Sequence, residues 1–311
     1  MQVNRYLGIF VFIMALSLAT AQRRTEIPEL DSLPLRDWEV KNPPLSYSKT
    51  ILMSLFIPGG AQLYGKHYVR AGFLIGLEGG LFLDALWGKR FVLHAKSKQA
   101  QEALDSASLY FDSLYYNPDQ ADYYSKLQSF KATGLRLLDI KKKQQDLQRS
   151  ELAWALGLHF YGLMDGLEIA RASHGHSQKS LTMSGALWRA LLLPGAGQLY
   201  NGRYGKFGML WMALGSSTAS IFFRQEMVDY FQNRLKNAKQ EENNQELSQL
   251  EQDITFYRKS RNQYFWGITL LYLYSIGDAV VDAVLNDFDA PQHYALLPGK
   301  EPISLMFLYH F

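Results

Sequence analysis

The amino-acid sequence predicts an all-α fold: a helical membrane protein with two tandem modules, each a Pro-Gly-kinked segment plus a transmembrane hairpin extended by a polar, coiled-coil-like insert. Three observations predict it. Residues 58–72, PGGAQLYGKHYVRAG, align without a gap with residues 194–208, PGAGQLYNGRYGKFG. Each copy is followed by apolar runs of membrane-spanning length. Charged inserts join those runs, and in the second insert Met227, Tyr230, Phe231, Leu235, Leu247, Leu250, Ile254 and Tyr257 recur at helical spacing. A period of about 130 residues means two related modules rather than a solenoid.

Composition alone hides this. With 48% hydrophobic and 20% charged residues the average looks soluble, yet the two classes are segregated into blocks. A net charge of +3 is too small to argue for nucleic acid. Cysteine is absent, which excludes disulfides, thiolate metal sites and cysteine nucleophiles.

Residues 1–21 have the form of a signal peptide. Arg5 gives a positive start, Tyr6 to Leu18 is apolar, and Ala19-Thr20-Ala21 is a small-x-small cleavage site. The apolar stretch is short for a span, which needs roughly 20 residues. Residues 22–48, with Pro28, Pro34, Pro43 and Pro44, form an extended polar leader. Module 1 covers 49–175, with a polar helical insert at 89–150 whose helices break near Asn117-Pro118 and Gly134. Module 2 covers 184–289, with its insert at 224–262. Four apolar runs, 71–87, 152–170, 207–223 and 264–285, are the expected spans, with aromatic residues crowding their ends as in an interfacial belt. The tail 290–311 ends in ISLMFLYHF, like the last strand of an outer-membrane barrel, but one strand makes no barrel.

The repeated motif is structural: Pro58, Gly59, Gln62 and Tyr64 in the first copy, and Pro194, Gly195, Gly197, Gln198 and Tyr200 in the second. Proline removes a backbone donor and breaks the helix midway. In lipid the freed carbonyl needs a partner within the protein. The amides of Gln62 and Gln198, four residues on, are placed to help. A kinked or re-entrant segment is expected. If it is re-entrant the modules are parallel and both inserts share a side; if it spans, they are inverted.

At this motif the second copy resembles an uncharacterised family of bacterial envelope membrane proteins. The family is a domain of unknown function marked by P-G-x-G-Q-x-Y-N-G, a later D-A-x-V-D-A and a short D-F-D. Here these are Pro194 to Gly202, Asp278 to Ala283, and Asp287-Phe288-Asp289. The first copy departs from the pattern, with Ala61 and Gly65 at the places of Gly197 and Asn201, and Asp165 alone of the aspartate pair. There is also distant similarity to the two-transmembrane-domain family, whose motif histidine is replaced by Gly197 or Ala61. Neither resemblance implies a reaction or a ligand.

Asp165, Glu168, Asp278 and Asp282 fall within the apolar runs, and Asp278 and Asp282 share a helix face. Ionisable groups there usually face protein or a water-filled cavity. They make either an ion or proton site between the modules or structural hydrogen-bond acceptors, and Asp282 alternatively marks the membrane edge. His174 and His176 belong to a polar linker, and Ser216-Ser217 is a small-residue helix contact. No nucleophile elbow or phosphate loop is present, so neither an enzyme nor a cofactor or metal is expected. The expected role is that of a non-enzymatic scaffold or interaction protein of the bacterial inner membrane. Its partners would be the lipid bilayer and, through the polar inserts, other envelope proteins, and homo-oligomers are compatible with this. The alternative is a small transporter or ion-coupled channel component using the intramembrane acids.

Overall fold

The computed structural model describes residues 44–88, 95, 97–103, 105–109, 121–174, 181–240 and 244–288. The expected signal peptide, the Asn117-Pro118 break and the tail lie outside them. Every element among the described residues is helical. In chain order these are α1 (Tyr47–Phe56), α2 (Gly60–Tyr64), α3 (Tyr68–Leu83, continued by a π-helical turn, Asp84–Gly88), α4 (Ala121–Ser173), α5 (Met183–Leu192), α6 (Ala196–Tyr200), α7 (Tyr204–Gln240) and α8 (Asn244–Phe288).

The two Pro-Gly segments fold alike. Ser46 and Thr182 cap α1 and α5, their hydroxyls accepting from the N–H groups of Lys49 and Gly185. Each helix stops ahead of its proline, and the next residue, Gly59 or Gly195, takes a left-handed conformation with φ of 68° or 87°. Left-handed backbone costs any other L-residue steric strain, which is why glycine stands there. The chain then reverses. Leu45 N–H donates to Ser173 Oγ at 2.8 Å and Tyr47 stacks on His174, so α1 starts at the C-terminal end of α4. Leu55 lies opposite His159, and Gln62, beyond the turn, lies back opposite Gly162 and Asp165. The hairpin α1–α2 therefore enters beside α4, turns partway along it and returns.

From there α3 runs antiparallel to α4, with Arg70 beside Asp165 and the Ala85 carbonyl beside Gln148. In the second half α5–α6 packs on α8 as α1–α2 packs on α4. Helix α7 lies antiparallel to both α4 and α8. Glu168 of α4 meets Gly205, and Asp139 meets Tyr230; Lys206 meets Asp282, and Phe231 meets Tyr257. Both polar ends thus point the same way.

Two cores hold the long helices. At the apolar end Leu74, Trp154, Leu158, Met209 and Met212 bring α3, α4 and α7 together. At the polar end the expected stripe is buried, with Met227, Phe231, Leu250, Ile254 and Tyr257 central to it. Ion pairs clamp α4 onto this end. Lys142 and Arg149 share Glu226, each at 2.6 Å, Lys143 holds Asp253 at 2.8 Å, and Arg224 pairs with Asp146 where both are buried. The Lys142 ammonium bonded to Glu226 holds its carboxyl below the usual carboxylate range against a desolvation cost, and Arg149 adds to the effect.

Two expectations need correction. Gly134 does not break a helix: it is buried inside the continuous α4. One glycine costs a helix only about 1 kcal/mol, which packing readily offsets. Of the four apolar runs, only that of α8 lies in a helix long and apolar enough to cross a membrane by length and composition. The others fall short for physical reasons. Helix α3 is short, α4 carries Asp165 and Glu168, and α7 is diluted by Gly215, Ser216, Ser217 and Ser220 because it forms the buried centre of the bundle.

Candidate functional site

Each half contains the same hydrogen-bonded latch. Gln62 Nε2 donates to the Gly162 carbonyl and to Asp165 Oδ2, both at 2.9 Å. Gln198 Nε2 donates to the Ser275 carbonyl at 2.8 Å and to Asp278 Oδ2 at 3.1 Å. Both glutamines are buried. A cation completes each latch from the first turn of the following helix: Arg70 lies 3.2 Å from Asp165, and Lys206 lies 2.7 Å from Asp278 and 2.8 Å from Asp282. The latch ties three segments together, the hairpin, the helix after it and the long helix they share. Charge-assisted bonds of this kind are the stronger class.

The glutamine amides therefore do not serve the carbonyls freed at the helix break. That role falls to the long helix. His159 Nε2 lies 3.2 Å from the Leu55 carbonyl, and the Tyr272 hydroxyl donates to the Leu191 carbonyl at the matching place. His159 Nδ1 lies 2.7 Å from Glu78 Oε1, so the ring bridges α1 and α3. Trp211 Nε1 donates to the Pro194 carbonyl.

The four acidic residues singled out by sequence reach different partners. Asp278 and Asp282 share Lys206, Asp165 belongs to the first latch, and Glu168 accepts from the Gly205 N–H at 2.7 Å. Glu168 thereby caps the start of α7 from another helix, where the unpaired N–H groups and the helix dipole favour a carboxylate. Tyr274 donates to Asp278 at 3.4 Å, whereas Tyr161 joins the apolar core. Tyr200 supports its own hairpin, its hydroxyl accepting from Thr182 N–H and its ring lying 4.1 Å from the Arg189 guanidinium. Arg70 and Lys206 were missed by sequence reading. Their signal was present: the gapless alignment of the two copies sets one cation over the other.

The tightest approach in each latch differs in a complementary way. A Cβ on Gly166 would lie 2.3 Å from Ala61 Cβ, and a Cβ on Gly197 would lie 2.5 Å from Ala279 Cβ. One methyl fills each contact, supplied by the hairpin in the first copy and by the long helix in the second. The copies also differ at Ser275. Its hydroxyl accepts from Gly195 N–H at 3.1 Å and donates to Gln198 Oε1 at 3.3 Å. Glycine 162 holds that place in the first copy, and Gln62 Oε1 is buried without a partner. A Cβ on Gly162 would meet only Leu74 Cδ1, at an ordinary 3.5 Å. Gly162→Ser is therefore expected to stabilise the fold by about 1 kcal/mol in detergent unfolding titrations. Serine should outperform alanine there, reversing the helix-propensity order; alanine ahead of serine refutes the missing bond.

A crevice with room for about one water lies beside the second latch, lined by Gln198, Lys206, Leu210, Leu271, Tyr274 and Asp278 among others. No cluster of three metal-ligating side chains occurs among the described residues.

These features define a bundle of long helices clasped by two hairpins. Residues 179–298 match the model of a family described as "Family of unknown function (DUF5683)". The match spans α5 to α8, and so includes the second latch with its crevice. No curated protein and no solved structure matches the chain.

Proposed function

We propose that this chain is a non-enzymatic integral membrane protein of the bacterial cell envelope, exported by an N-terminal signal peptide to the inner membrane. It is built from two tandem copies of one module. Its polar three-helix end acts as a scaffold for other envelope proteins. The observation that carries the reading is the outward display of large apolar side chains around the latch-bearing half. Phe56 of α1, Trp87 after α3, Leu192 of α5 and Leu270 of α8 are each more than 60% exposed. Patches of such extent mark a protein or membrane contact. Lipid fits because they lie on four segments around the bundle, while the ion pairs that clamp α4 to α7 and α8 lie away from the latches. From Trp266 to Leu285 α8 covers ~30 Å, the thickness of a hydrocarbon core. The acidic residues have partners inside the chain, which supports a structural role over an ion path.

Two measurements test this. The protein should stay in the membrane pellet through alkaline carbonate and need detergent for release; a folded, monodisperse chain in plain buffer overturns the membrane reading. Phe231 and Tyr257 stack at 5.7 Å, so residues 232–256 can be replaced by a short glycine-serine link. That variant should still insert but lose its crosslinked envelope partners, and unchanged crosslinks would remove the scaffold role. The crevice beside Lys206, Tyr274 and Asp278 favours the transporter alternative, under which Asp278→Asn abolishes a proton-coupled flux in an otherwise folded protein.

A further inference from the structure

We propose that the chain assembles head-to-tail with further copies of itself, the outer face of α8 in one copy seating on the glycine face of α3 in the next. The inference rests on the membrane reading above and goes beyond it.

The interface is already present once within the chain. Helix α7 presents Gly208, Met212 and Ser216 to α4. A Cβ on Gly208 would lie 2.6 Å from Met164 Cβ, and one on Gly157 would lie 2.6 Å from Ser216 Oγ and 3.0 Å from Met212 Cγ. The latches fix which positions correspond between halves. The counterparts of Gly208, Met212 and Ser216 are Gly72, Gly76 and Gly80 of α3. A Cβ on any of these meets nothing within 4 Å among the described residues. The counterparts of Gly157, Tyr161 and Glu168 on α4 are Leu270, Tyr274 and Val281 of α8, all exposed. Among the described residues, one surface of the internal joint is thus repeated without a partner on α3, and the other on α8. Among the same residues these two helices share no packed interface.

The two unpartnered faces set large residues against small ones. Where Met212 packs over Gly157 internally, the pairing between copies sets Leu270 over Gly76, with large and small exchanged. Where Glu168 caps Gly205 internally, it sets Val281 against Val69, and Val69 is 87% exposed. The crevice gives a separate sign. Leu74, Leu158 and Tyr161 are covered by Met209 and Met212 in the first half. Of their counterparts beside the crevice of the second half, Leu210 is already buried, but Leu271 is only partly buried and Tyr274 is exposed, and a neighbouring α3 would cover these two. Small residues that let backbones approach are what drives helix association where water is absent. Because the two faces differ, the contact is heterologous and generates a ring or a chain in the membrane plane.

The absence of cysteine makes the test direct. Gly76→Cys and Leu270→Cys, carried on differently tagged copies in one membrane, should form a disulfide-linked dimer on oxidation. Leu52→Cys with Trp188→Cys, on the outward faces of α1 and α5, should not. Light scattering in mild detergent should give a mass at least twice that of one chain. Gly76→Ile should reduce it to one chain, and Gly215→Ile, at an open position of α7, should leave it unchanged. Equal crosslinking of both cysteine pairs, or a wild-type chain monomeric in membranes, overturns the assembly and leaves the membrane reading intact. A chain found in the soluble fraction overturns both.

Discussion

Lys206→Met is expected to destabilise the fold by about 2–4 kcal/mol. The substitution leaves Asp278 and Asp282, whose side chains are 13% and 8% exposed, facing each other without the ammonium between them. Removing one partner of a buried ion pair costs about 3–5 kcal/mol, because the remaining charge is neither hydrated nor paired. Lys206 is itself a third exposed, so water screens part of the loss. Arg70→Met is the internal control. It strands only one carboxylate, Asp165, and Arg70 is 40% exposed, so about 1 kcal/mol is expected. Adding Asp278→Asn and Asp282→Asn to Lys206→Met should recover most of the loss. Unfolding in mixed micelles measures all three. Equal losses for Lys206→Met and Arg70→Met would contradict the view that the second latch carries the greater charge burden.

Gly166→Ala is expected to cost about 1–3 kcal/mol, the usual range for forcing one methyl group into a filled contact. The new Cβ would fall 2.3 Å from that of Ala61, between two backbones with little freedom to part. The second copy shows the remedy. There the alanine sits on the long helix as Ala279 and the glycine on the hairpin as Gly197. Adding Ala61→Gly to Gly166→Ala transplants that arrangement and should restore most of the stability. A double-mutant cycle should then give a coupling of about 1–2 kcal/mol, within the range for residues in direct contact. Additive effects would mean that the crossing can relax, and that its swapped methyl groups carry no significance.

Much of this fold was legible in the sequence. The two copies of the Pro-Gly motif announced two equivalent hairpins, since proline stops a helix and the glycine after it permits the reversal. The stripe from Met227 to Tyr257 announced the packed α7–α8 pair because helical periodicity survives wherever one face is buried. What escaped was the pairing between segments. Gln62 was assigned to a nearby carbonyl because sequence favours local partners, yet its acceptors come from α4. Glu168 looked like a member of an acidic cluster, but it caps a helix that begins in the other half. The length of α4 was also hidden, because Gly134 reads as a breaker in one dimension and is a buried helical position in three. The cations of the latch were visible as aligned residues; their meaning needed the positions of the aspartates.

The sequence separation within each latch sets an order of events at the ribosome. Gln62 finds its aspartate 103 residues later in the chain, and Gln198 finds its own after 80. At ~5–20 residues per second, synthesis leaves the first hairpin waiting roughly 5–20 s for the helix that accepts its amide. The second waits less, and by then α4 is already in place for α7, the helix that follows that hairpin, to pack on. The amino-terminal half is therefore the stage of biogenesis most in need of a temporary companion, and the carboxy-terminal half matures against a finished template.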